Sequence, residues 1–263
     1  MRISSLQNAT VKNIVKLSKA RERRAQNLFV IEGARELSLA LASDYSIEDV
    51  YVCNDIFVNT LYPDVLDSIA DNKITEITAQ VFEKLAYRKT SDGLIALAQP
   101  KVHTLANIEL STNPFIIILE AVEKPGNLGA ILRTADAAAV DAVIVSDPQT
   151  DIYNPNVVRS SVGGVFTVQT AVCTSEEAME WLNKHCIASY AAELEAAVWY
   201  QDVDYCKPSA IVMGTEADGL TASWLNYATQ RVKIPMRGKL DSLNVSVSAA
   251  ILTFEAMRQR GFQ

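Results

Sequence analysis

The sequence predicts an α/β protein: a small N-terminal α/β domain followed by a second domain built on a mostly parallel sheet. Three observations predict it. Short apolar runs alternate with amphipathic stretches along most of the chain, the pattern of strands covered by helices. One run, Phe115-Ile116-Ile117-Ile118-Leu119, is continuous rather than alternating, as in a strand buried on both faces. Between the two halves, Gln99 to Pro114 has prolines near both ends, weak periodicity and no strong apolar run. The expected division is a domain at 1–98, a linker at 99–113 and a domain at 114–263.

From Thr10 to Gln26 the spacing of Val11, Ile14, Val15 and Leu17 predicts one helix with basic residues on its other side. A strand at Leu28–Ile31, a helix at Arg35–Ala42 and a strand at Ile47–Cys53 follow. Ile74–Ile77, a helix at Ala79–Ala86 and a strand at Leu94–Ala98 close the first domain. In the second, Phe115–Leu119, Ala142–Val145, Ile187–Ala192, Ala210–Met213 and Arg231–Ile234 read as strands separated by helix-compatible stretches. Ligands of such sheets gather at the carboxyl ends of the strands, so chemistry is sought after Leu119, Met213 and Ile234.

Composition narrows the class. The 263 residues are 49% hydrophobic and 21% charged, enough to build a real core. No stretch approaches the ~20 apolar residues of a membrane helix, and the first thirty residues carry charges throughout, so neither a membrane span nor a secretory signal is expected. The cytoplasm is the expected location. The cysteines Cys53, Cys173, Cys186 and Cys206 form no Cys-x-x-Cys pair, and His103 and His185 are far apart, which argues against a metal site or a histidine triad. The net charge is −7, yet residues 1–35 carry eight Lys/Arg against two acids and leave the rest at −13. A basic end on an acidic body fits either a nucleic-acid contact or a solvated helix face.

Three loops are the places to seek that chemistry, and each alone also fits a turn or a helix cap. The first, Glu120 to Gly129, enters a helix whose apolar stripe is Leu128, Ile131, Leu132 and Ala135. Arg133 lies about 140° from Leu128 on that helix and faces solvent or a cleft. Asn127, at the expected helix start, reads as an N-cap. The loop is neither a phosphate-binding Walker loop, lacking Lys-Ser/Thr after its glycines, nor a dinucleotide fingerprint. The second loop, Gly214-Thr215-Glu216-Ala217-Asp218-Gly219-Leu220, follows an apolar strand; its carboxylate suits a ribose hydroxyl or a helix cap. The third runs from Ile234-Pro235-Met236 to Asp241-Ser242-Leu243-Asn244-Val245-Ser246 and opens a helix apolar on two sides. One stripe is Val245, Ala249, Leu252 and Ala256; the other is Val247, Ile251 and Phe254, which suits a subunit interface.

In this order and spacing the three loops resemble the signature motifs of the SpoU (TrmH-like) ribose methyltransferases of the SPOUT superfamily. Ser5, Asn8, Lys12, Leu17, Arg21, Arg24, Phe29, Glu32 and Gly33 resemble the substrate-binding domain attached to many members. The resemblance implies transfer of a methyl group from S-adenosylmethionine to a ribose 2′-hydroxyl of structured RNA, ribosomal RNA before transfer RNA. It implies a deep trefoil knot in the C-terminal domain and a homodimer formed through that domain, without membrane or metal. By motif matching, Asn127, Arg133, Glu216, Ser242 and Asn244 fall on active-site positions. Met213, Gly214, Thr215, Glu216, Gly219, Ile234, Met236, Leu243 and Asn244 fall on cofactor positions. Arg133 is the family's proposed base, but a guanidinium, which rarely gives up its proton, serves better as a phosphate or ribose clamp. Lys12, Lys16, Arg21, Arg23 and Arg24 are expected to meet RNA phosphates. Arg159, in Arg159-Ser160-Ser161-Val162-Gly163-Gly164, is either an RNA contact or a surface arginine at a helix end. Ala139 and Ala217 stand where glycine is frequent. The rival reading is a non-catalytic RNA-binding protein that keeps the fold.

Overall fold

The computed structural model describes residues 2–57, 62, 64–87, 92–196 and 198–262. The chain divides into two compact units, Met1–Val102 with Asp151–Thr167, and His103–Thr150 with Val168–Gln263.

The first unit begins with β1 (Arg2–Ile3), α1 (Ala9–Lys16) and α2 (Ala20–Gln26). The single helix expected over 10–26 is therefore two. Leu17 is fully buried, and Lys19 is extended at the start of α2. The carbonyls released at this break find a donor in Arg23, whose Nη1 donates to Leu17 O (2.8 Å) and Ser18 O (2.9 Å). Its Nη2 pairs with Asp151, and only 5% of the residue is exposed. Helical periodicity continues through such a break, because the apolar spacing serves two short helices as well as one.

Next come β2 (Phe29–Glu32), α3 (Ala34–Ala42), β3 (Ile47–Val52), β4 (Ile74–Ile77), α4 (Ala79–Leu85) and β5 (Leu94–Ala98). The strands form a mixed sheet in the order β1-β4-β3-β5-β2, with β5 antiparallel to both β2 and β3. Ile14, Leu17, Ile77, Val81 and Phe82 pack α1 and α4 into one apolar cluster with this sheet.

The second unit carries β6 (Phe115–Glu120), α5 (Pro125–Ala137) and β7 (Ala142–Ser146) before the chain returns to the first unit. That return segment holds α6 (Pro155–Ser161) and α7 (Gly164–Thr167) and supplies Tyr153 and Phe166, which pack with Phe29 and Tyr45. An excursion of the second half into the first had no signal in composition. The second unit then resumes with β8 (Thr170–Cys173), α8 (Ser175–Lys184), β9 (Ala188–Ala192), β10 (Val198–Trp199), β11 (Ser209–Met213), α9 (Ala222–Tyr227), β12 (Gln230–Lys233) and α10 (Val245–Gln259). Strands β1, β8 and β10 had not been expected; β1 and β10, at two residues each, are too short to establish a period.

The seven strands run parallel in the order β10-β12-β9-β11-β6-β7-β8. All six residues of β6 and all five of β7 and β11 are buried, which explains their unbroken apolar runs. From β6 the chain builds outward through β7 and β8, then crosses to the other side, and β11 takes its place against β6. That reversal opens a crevice at the carboxyl ends of the strands. The expected linker is tied down on both sides: Gln99 N donates to Ser46 O, while Val172 N donates to His103 O and His103 Nδ1 lies 3.0 Å from Thr170 O. No helix among the described residues is long and apolar enough to cross a membrane.

Candidate active site

A cavity of about 640 Å³ lies at the carboxyl ends of β6, β9, β11 and β12, four adjacent strands. Its walls lie at and beyond these strand ends: Lys124 after β6, Ala192–Glu195 at the end of β9, Gly214–Leu220 after β11, and Ile234, Met236, Ser242, Leu243, Asn244 and Val245 after β12. Met213, Gly214, Thr215, Glu216, Gly219, Ile234, Met236, Leu243 and Asn244 all line it, so every residue matched to a cofactor position faces one space. Ser242 lines it too, donating from Oγ to Asp241 Oδ1 (3.1 Å).

Local geometry shapes the second loop. Thr215 N donates to Gly219 O (3.0 Å) and Gly219 N to Thr215 O (3.2 Å), closing a tight hairpin directly after β11. Gly219 sits at φ +68°, in the left-handed region. A Cβ on Gly214 would collide with the carbonyl of Gly219 and the amide nitrogen of Leu220, so only glycine lets the hairpin fold back. Ala217 needs no positive φ, and its departure from glycine is accommodated. Ala139 does adopt one, at φ +49° beyond α5, where glycine would be easier. Behind the loop, Glu120 at the end of β6 is only 3% exposed and accepts from Thr221 N (2.8 Å) and Thr221 Oγ1 (2.7 Å). It thereby anchors the start of α9 to the central strand, the work of an N-cap done from another element.

Glu216 joins the three loops. Its Oε1 accepts from Asn127 Nδ2 (2.7 Å) and Asn244 Nδ2 (2.7 Å), and Oε2 pairs with Lys124 Nζ. Asn244 Nδ2 also donates to Asn127 Oδ1 (3.2 Å), while its own Oδ1 accepts from Ser246 N (3.0 Å) as the cap of α10. Asn127 is not the N-cap the sequence suggested. Helix α5 begins at Pro125, whose fixed φ suits the first helical position, and Asn127 in the third turns its amide to Glu216. Lys124 and Glu120 were missed as site residues; Lys124 directly precedes the helix-opening proline, while nothing local marks the role of Glu120.

Arg133 stands apart. It is exposed on α5, does not line the cavity, and lies about 120° around the helix and ~9 Å along it from Asn127. In the first unit, Lys12, Lys16, Arg21 and Arg24 are exposed. Arg23 is not: its expected role at RNA phosphates gives way to the structural bonds described above, because a guanidinium buried against Leu17, Ser18 and Asp151 is closed off from solvent. Arg159 is exposed at the end of α6.

Acidic groups predominate around the cavity: Glu193, Glu195, Glu216 and Asp218 face Lys124 and Lys233. That balance disfavours a di- or triphosphate and suits a ligand that is itself cationic. Val232, Leu225 and Leu252 add apolar wall, and the irregular backbone of the loops offers peptide groups at its edge. S-Adenosylmethionine, with a sulfonium, an amino acid group and a flat adenine, fits this donor set. Neither histidine lies there, and no metal-binding cluster occurs among the described residues.

The family model for the SpoU rRNA methylases matches residues 114–254, more than half of the chain. The chain belongs to the SpoU rRNA methylase family. A second model, the MRM3-like substrate binding domain, matches residues 8–96. Among curated relatives, the 23S rRNA (guanosine(2553)-2′-O)-methyltransferase RlmP of Bacillus subtilis is 28% identical, over 96% of this chain and 97% of its own. The 23S rRNA (guanosine-2′-O-)-methyltransferase RlmB of Bordetella pertussis is 32% identical over 73% of this chain and 80% of its own. A crystal structure of an RNA 2′-O ribose methyltransferase superposes with a TM-score of 0.89 at 39% identity, covering 99% of both chains. An AdoMet-bound rRNA methyltransferase from Sinorhizobium meliloti gives 0.88 at 27% identity, covering 98% of this chain and 97% of that one.

Proposed function

We propose that this SpoU methylase transfers a methyl group from S-adenosylmethionine to a ribose 2′-hydroxyl of ribosomal RNA. One observation carries the reading: three loops distant in sequence close one acid-rimmed cavity and are tied together through Glu216. The relatives that act on 23S rRNA, and the neighbour solved with AdoMet, support it.

Gly214, Ile234, Leu243 and their neighbours would hold the cofactor, which supplies an electrophilic methyl when bound. The protein's own work is alignment. Glu216 holds Asn127 and Asn244 in register, and of the two Asn244 lines the cavity. Ser242 adds a hydroxyl at the same rim. Arg133, exposed and permanently charged, clamps an RNA phosphate or ribose and favours loss of the hydroxyl proton to solvent by its positive field. Lys12, Lys16, Arg21 and Arg24 meet the RNA backbone. The same reading includes the knotted C-terminus, a cytoplasmic location and a homodimer. For the dimer, the exposed Val247 (47%) and Phe254 (43%) on α10 supply the apolar face.

Arg133→Ala tests the assignment. Calorimetry is expected to show unchanged cofactor binding, while transfer of tritiated methyl to ribosomal RNA falls roughly 10²-fold or more. Full transfer by the variant would remove Arg133 from the site. A wild-type protein that binds both cofactor and RNA but transfers nothing would favour the non-catalytic reading.

A further inference from the structure

The first unit contains a second cavity, about 180 Å³, between α1, α4 and α6. It is smaller than the ~300–1,000 Å³ of a site for a whole drug-sized ligand, and nearer the scale of one flat ring system. Tyr87, directly beyond α4, is 54% exposed at its edge. Its backbone N–H donates to Glu32 Oε2 (2.6 Å), which fixes the chain at the point from which the ring projects. Arg159 lies with Cζ 5.3 Å from the Tyr87 ring centroid, and its Nη2 donates to Asn156 Oδ1 (2.9 Å). Val15 supplies an apolar wall, 38% exposed, and Lys84 a further cation.

We infer that this cavity is a stacking platform for one unpaired nucleobase of the RNA, with Tyr87 as the stacking surface and Arg159 and Lys84 as partners of the flanking phosphates. The inference rests on the RNA reading above and deepens it. A half-exposed aromatic ring with a guanidinium over it is an arrangement on which bases stack without sequence readout. Charge agrees: Val15 shares helix α1 with Lys12 and Lys16, both exposed, in the segment of the chain with net charge +6. Lys84 and Arg159 line the groove with one acid, Glu32, whose Oε2 is held by the Tyr87 amide, and that balance suits an anionic partner. Arg159 thus gains a defined role, and Tyr87, which no motif marked, becomes the residue on which the platform depends.

The test uses the full chain and a single-stranded RNA decamer with 2-aminopurine at its centre. Stacking on Tyr87 is expected to quench the probe on binding. Tyr87→Ala should weaken affinity roughly tenfold and abolish the quench, with the slope of log K against log salt unchanged. Tyr87→Phe should retain both affinity and quench, whereas Tyr87→Leu, which keeps apolar bulk without a π face, should behave like Tyr87→Ala. Arg159→Ala should reduce the salt slope by about one phosphate contact. A Tyr87→Ala variant with wild-type affinity and quench overturns the platform, as does competition by polyglutamate as effective as by unlabelled RNA. Failure of the broader reading looks different: wild-type protein would then bind and quench the decamer yet methylate no ribosomal RNA.

Discussion

Replacing Glu120 tests whether the Gly214–Leu220 loop, proposed to hold the cofactor, is held from behind. Its carboxylate is buried and accepts two hydrogen bonds from Thr221, one from the backbone and one from the hydroxyl. Hydrogen bonds to a charged group contribute ~1.5–3 kcal/mol each, neutral ones ~0.5–1.5 kcal/mol. Glu120→Gln keeps the volume, accepts from the N–H and can donate to the hydroxyl, so it forfeits charge assistance alone, about 2 kcal/mol over the pair. Glu120→Ala strands both donors and leaves a void, at a cost of roughly 3–5 kcal/mol. At ~2–4 °C per kcal/mol for a chain of this size, the alanine variant should melt roughly 6–20 °C lower, with glutamine between it and the wild type. Because Thr221 follows the Gly214–Leu220 hairpin, part of the loss must be recovered on cofactor binding. Each ~1.4 kcal/mol so recovered weakens Kd tenfold. Differential scanning calorimetry and titration calorimetry read the two effects. An alanine variant melting within a degree of the wild type, with unchanged cofactor affinity, would refute the anchoring argument.

Other outcomes are expected on the same grounds. Gly214→Ala should abolish measurable cofactor binding in titration calorimetry, because its methyl collides with Gly219 and Leu220 and opens the hairpin. Wild-type affinity would show that the loop tolerates the displacement. Changing Lys12 and Lys16 together to alanine should weaken RNA binding and lower the salt slope by about 1.5, the release expected from two lost phosphate contacts; an unchanged slope assigns them to solvent. The Cys173 thiol is pushed up to about 12, first by burial and then by the carboxylates of Glu177 and Asp147. Alkylation needs the thiolate, so iodoacetamide at pH 8 should spare Cys173 and label it only as the pH rises towards that value. Peptide mapping by mass spectrometry distinguishes this from labelling at pH 8.

How much of this was legible beforehand follows physical lines. The buried strands β6, β7 and β11 were evident because burial on both faces demands an unbroken apolar run. The loops at the strand ends were evident because backbone turns there need particular residues, Gly214 and Gly219 above all; their proposed part in holding a cofactor came from the family resemblance. The break between α1 and α2 was not, since the apolar period runs across it and the group that satisfies its carbonyls, Arg23, lies in the next helix. Charge alone likewise placed Arg23 among the RNA contacts, where burial excludes it.

By itself the chain determined its fold class, the order of its strands along the sequence and the three loops that surround the cavity, because these depend on local periodicity and turn chemistry. Only the tertiary structure decided which partners those residues take. It brought Asn127 and Asn244 to one oxygen of Glu216 and Glu120 to Thr221, and it carried residues 151–167 into the first unit. Such pairings join residues up to about a hundred positions apart, and a hydrogen bond is specified by where two groups meet in space, about which neither sequence neighbourhood contains any information.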